Sequence, residues 1–100
     1  MRQDEILATI QELIAAIKRD TVPVRPHDVR LDSSFAAPPL SMDSLDFVRF
    51  LVEVEEAFDI VADDADFLRV ETVGDSVRLV RELLTEAAGH DGSAQGRLPA

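Results

Sequence analysis

The sequence predicts an all-α protein: a small antiparallel bundle of four helices, three long and one short, with a long loop between the first two. Three observations predict it. Apolar residues recur at three- and four-residue spacing in three separate stretches. Four prolines (Pro23, Pro26, Pro38 and Pro39) fall between the first stretch and the second and exclude a long helix there. No segment shows the two-residue alternation of a half-buried strand.

The first helix is expected over residues 4–18. Ile6, Ile10, Leu13, Ile14 and Ile17 fall on one face. Asp4 and Glu5 open it, and Lys18 and Arg19 close it, an order that suits the helix dipole. Residues 20–42 follow as the loop, with Val29, Leu31 and Phe35 as the apolar anchors expected to pin it to the core. A loop of this length inside a small domain is usually functional.

The second helix is expected over residues 43–58, with Asp43 as N-cap and Asp46 three residues on. The segment "DIVADDAD" breaks the pattern, and "DFLRV" makes the short helix. Thr72 with Asp75 signals the next cap. Val73, Val77, Val80 and Leu84, with Leu79 and Leu83 beside them, form the last helix. It should end near Ala88, at Gly89. One folded domain over residues 1–88 results, and residues 89–100, "GHDGSAQGRLPA", have the composition of a disordered tail.

Composition narrows the function. The chain has 100 residues, no cysteine, and a formal charge of −10. The missing cysteine excludes a disulfide scaffold, a thiolate zinc site and a cysteine nucleophile. The acidic balance argues against nucleic acid and anionic membranes, whose binding needs a basic patch. No apolar run is long enough to span a membrane, and the N-terminus lacks a signal-peptide pattern. The expectation is a soluble, cytoplasmic protein. The acids are concentrated: between Asp43 and Asp66 there are nine, against a single base, Arg49. Asp59, Asp63, Asp64 and Asp66 lack the alternating ligands, central glycine and closing glutamate of a calcium loop. His27 and His90 have no metal-ligand partner at helical spacing.

The second helix carries two apolar stripes. Phe47, Phe50, Leu51, Val54 and Phe58 share a face about 100° wide, which is core. Leu45, Val48 and Val52 lie on the far side, bordered by Glu55, Glu56 and Asp59, with Arg49 among them. Such a strip is either a docking surface or is covered by another element, for instance the short third helix. Ser44 stands beside it at the first turn. There a serine is a helix cap, or an attachment point for a phosphate held by free N–H groups and the dipole.

"MDSLDFVRFLVEVEEAFDI" resembles the second helix of the acyl carrier protein family, including the D-S-L motif, the Leu-Asp pair after the serine, the Glu-Glu pair and the closing Phe-Asp. "LDSSF" is similar to the family's anchor in the first loop, and "ADDADFLRVETVGDSV" to its third helix and the start of its fourth. The resemblance spans roughly residues 4–86. It implies that Ser44 carries a 4′-phosphopantetheine arm through a phosphodiester, with Asp43 part of the motif. It implies that Leu45, Val48, Arg49, Val52, Glu55 and Glu56 form the docking face. The partners implied are a phosphopantetheinyl transferase and acyl- or aminoacyl-loading and condensing enzymes with basic patches. The carrier would be a monomer and free-standing, serving fatty acid, polyketide or related biosynthesis, or else an aminoacyl or peptidyl pathway. It would not itself be an enzyme.

Four positions depart from the family pattern. Leu40-Ser41 replaces the usual Leu-Gly. "AAPP" makes the link from Phe35 to Leu40 one residue longer and lacks the customary acid. Arg49 stands where an acid is common. Ala62-Asp63 replaces an isoleucine-proline-like pair. Arg49 points away from fatty acid synthase partners and toward a specialised carrier. The bulk of Phe47, Phe50, Phe58 and Phe67 points to short or polar cargo. Two other classes stand beside this reading. One is a cofactor-free acidic helical interaction module, in which Ser44 only caps. The other is a Ser-His-acid hydrolase, which has no oxyanion-hole glycine motif near Ser44 to support it.

Overall fold

A computed structural model describes residues 2–89; of the expected tail, Gly89 closes the last helix and residues 90–100 lie outside the described residues. Within the described residues four α-helices run in the order α1 (Gln3–Lys18), α2 (Ser44–Phe58), α3 (Asp64–Leu68) and α4 (Val73–Gly89), with a single 3₁₀ turn, Pro26–Asp28, between α1 and α2. Among the described residues no strand forms; one isolated antiparallel bridge joins Ser34 to Thr72.

Each helix buries the face its apolar period marks. Ile6, Ile10, Ile14 and Ile17 of α1 are buried, and α1 packs against both α2 and α4. From α2 come Phe50, Val54 and Phe58, with Phe47 and Leu51 half-buried against the same cluster. From α4 come Val73, Val77 and Val80. Phe35, Phe47 and Phe50 meet with ring centroids 5.0–6.1 Å apart, so the loop contributes an aromatic to the core beside the start of α2.

The helix ends follow local chemistry. The Glu5 carboxylate accepts the Arg2 backbone N–H at 2.9 Å. Thr72 and Asp75 form a reciprocal capping box at the start of α4, each side chain accepting the other's backbone N–H at 3.1 Å. Asp59 closes α2 in a left-handed conformation, φ 54°, which a short polar side chain tolerates.

Residues 19–43 are held by their backbone as much as by side chains. Val29 and Phe35 are buried as expected. Leu31 is not: its side chain is 39% exposed, a correction to the three-anchor reading. What this residue contributes is its carbonyl, which accepts the Gly74 N–H at 2.8 Å. A Cβ at Gly74 would lie 2.9 Å from that oxygen, so a glycine permits the approach. Two further bonds, Phe35 N–H to Glu71 O and Val73 N–H to Ser33 O, tie the same stretch to the start of α4. Leu40 and Met42 are buried. Between them Ser41 is exposed with φ 43°. The position where the family usually has glycine thus keeps a left-handed backbone here, with serine in it.

Candidate functional site

The chain reaches the start of α2 under close control. The Met42 N–H donates to the Phe35 carbonyl at 2.7 Å and the Ser41 N–H to Ala37 at 3.0 Å. Asp43 then adopts extended backbone and caps the helix: its side chain accepts the Asp46 N–H at 2.8 Å. The cap is therefore Asp43 and not Ser44. Ser44 is the first helical residue and is exposed. Its hydroxyl takes part in none of the hydrogen bonds found among the described residues.

Beneath this turn lies a buried cation. Lys18, at the end of α1, has 4% of its side chain exposed, and its Nζ lies 3.6 Å from Asp46 Oδ2. The same ammonium reaches the Ser41 carbonyl at 3.5 Å. One lysine therefore ties α1 to both the last loop residues and the first turn of α2. The sequence reading missed it, taking Lys18 as an ordinary C-terminal base. No local signal could have revealed a partner 28 residues away.

A cleft of about 440 Å³ opens beside Ser44. Phe35, Met42, Phe47 and Val70 supply its apolar wall, and Ser34, Asp43 and Glu71 polar atoms.

The outer stripe of α2 is open. Leu45 is 80% exposed, Val48 57% and Val52 48%; α3 does not cover it. Glu56 and Arg49 are exposed beside it. Glu55 is half-buried, and its carboxylate accepts the Ala62 N–H at 3.0 Å, holding the connection to α3. His27 lies exposed on the 3₁₀ turn beside Asp28, and His90 falls outside the described residues.

The site's chemistry suits a covalently held phosphate. An exposed, unbonded hydroxyl stands at a helix N-terminus, where the backbone N–H groups of Ser44 and Leu45 donate to no protein acceptor among the described bonds. An apolar-walled cleft adjoins it.

Residues 11–80 match the family described as "Phosphopantetheine attachment site". The chain is 41% identical to an acyl carrier protein of Chlamydia trachomatis serovar D over 76 residues, 74% of this chain and 95% of that protein. It is 30% identical to an acyl carrier protein of Rhodococcus erythropolis over 86 residues, 86% of this chain and 89% of that protein. With its described residues helical and an exposed serine opening a second helix that Asp43 caps, the chain belongs to the phosphopantetheine-bearing acyl carrier protein family.

Proposed function

We propose that residues 1–88 form the carrier domain, an antiparallel bundle, and that Ser44 bears the phosphopantetheine arm. The observation that supports this most is the division of labour at the start of α2. Asp43 satisfies the helix end, which leaves the Ser44 hydroxyl exposed and uncommitted. An attachment residue needs both properties, because the transferase must reach the oxygen and the helix must survive its modification.

The chain's own groups position rather than catalyse. No base touches Ser44 among the described residues, so activation of its hydroxyl falls to a phosphopantetheinyl transferase that draws the arm from coenzyme A. Once attached, the arm supplies a terminal thiol that carries cargo as a thioester. Leu45, Val48, Arg49 and Val52, with Glu56 and the outer edge of Glu55, form the surface that loading and condensing enzymes read. The aromatic group of Phe35, Phe47 and Phe50 fills the core behind the cleft, which favours short or polar acyl cargo in a fatty acid, polyketide or related pathway. No described helix is long and apolar enough to cross a membrane, and the reading is of a cytoplasmic monomer. Weak docking matters here, since cargo must move on and tethering already raises its local concentration.

The test is loading. The arm-bearing protein, given acyl-CoA donors of graded length and a promiscuous acyl transferase, should gain a hydroxylamine-labile acyl group, with short chains preferred. An adduct that resists hydroxylamine would rule out a thioester carrier.

A further inference from the structure

The charges along α2 are not uniformly available to a partner. At the start of α2 the acids are committed within the chain: Asp43 to its cap bond and Asp46 to buried Lys18; exposed Glu71 lies across the cleft, off this helix. Arg49 is exposed and joins none of the ion pairs found among the described residues. It sits one turn from Leu45 and one turn from Val52, on the same outward side. Glu56 follows one turn beyond Val52 and is also exposed. The stripe therefore presents, in order from the Ser44 end, an apolar residue, a free cation, an apolar residue and a free anion. Arg49 and Glu56 are about 10 Å apart along the axis at 1.5 Å per residue.

Resting on the carrier reading above, we infer that this face docks a partner enzyme of mixed rim charge. Its socket receives Leu45 and Val52, a carboxylate faces Arg49 close to the mouth of its active site, and a basic side chain faces Glu56. A uniformly basic rim would set like charge against Arg49 nearest the reacting group. A second copy of this chain could match Arg49 to Glu56 in antiparallel fashion, but a formal charge of −10 on each copy opposes it.

The probe is a promiscuous phosphopantetheinyl transferase with a basic docking rim, paired with the same enzyme in which the rim base nearest Arg49 is changed to Glu. The kcat/KM for modification is measured for the wild type, Arg49→Gln and Arg49→Glu. With the parent transferase, Arg49→Glu should be modified about tenfold faster than wild type, mainly through KM, with Arg49→Gln between. With the altered transferase the order should reverse. Rates for the three chains that agree within about twofold on both enzymes would overturn the proposal. So would sedimentation showing a wild-type dimer that Arg49→Glu dissolves. No modification of any chain would remove the carrier reading itself, an outcome distinct from equal rates.

Discussion

The Lys18 ammonium lies 3.6 Å from the Asp46 carboxylate, with 4% of the lysine side chain exposed and 21% of the aspartate's. This asymmetry makes the two ends of the pair unequal. Asp46→Ala strands a buried charge with only the Ser41 carbonyl at 3.5 Å to answer it. It should cost about 3 kcal/mol. Lys18→Met keeps the packed stem and leaves Asp46 some access to water, so it should cost clearly less. Urea unfolding of both variants checks the order. Equal losses would contradict this account of the pair.

Ser41 adopts a left-handed backbone, φ 43°, at an exposed position. A side chain there is strained and glycine is not. Ser41→Gly should therefore raise stability by about 0.5–1 kcal/mol, less whatever entropy glycine adds to the unfolded chain. The thermal midpoint reads the sign.

Gly74 takes the Leu31 carbonyl at 2.8 Å through its N–H. A methyl group at Gly74 would meet the same oxygen at 2.9 Å, and the obstacle is backbone. Gly74→Ala should cost about 1–3 kcal/mol despite alanine's better helix propensity. Hydrogen exchange at Gly74 and Val73 should speed up in the variant.

Two backbone N–H donors, from Glu71 and Thr72, hold the Asp75 carboxyl below its ordinary value of 3.8. A depressed acid contributes stability above its unfolded pKa and loses it as pH falls through the folded one. The loss should begin as pH drops below about 5 and be complete below the folded pKa. Asp75→Asn should flatten that acid limb and, at neutral pH, cost about 1 kcal/mol as a weakened cap. Stability measured from pH 7 to pH 2 on both proteins tests it.

The helices and the two stripes of α2 were legible because burial follows period: Phe50, Val54 and Phe58 went in, while the pattern left open whether Leu45, Val48 and Val52 are covered, and the fold leaves them exposed. The Asp43 and Thr72–Asp75 caps were legible because they act within three residues. What escaped the sequence depends on contacts between distant segments. Leu31 was read by its side chain, while the fold uses its carbonyl against Gly74. Lys18 was read only as a base suiting the end of the first helix, while the fold buries it under the first turn of α2. Glu55 was read as part of the docking face, and the bond its carboxylate also accepts from the Ala62 N–H was not foreseen. In each case tertiary geometry set the role of a polar or backbone group that local pattern does not encode.

The attachment residue is the central claim, and a site-resolved mass is its most direct test. The protein and its Ser44→Ala variant are incubated with coenzyme A, Mg²⁺ and a promiscuous phosphopantetheinyl transferase, then weighed intact and fragmented. Because Asp43 and not Ser44 caps α2, the variant should stay folded, with a melting curve close to the parent's. The account predicts one phosphopantetheinyl group on the parent, located at Ser44, and none on the folded variant. An arm found on another serine, or gained equally by Ser44→Ala, would contradict it.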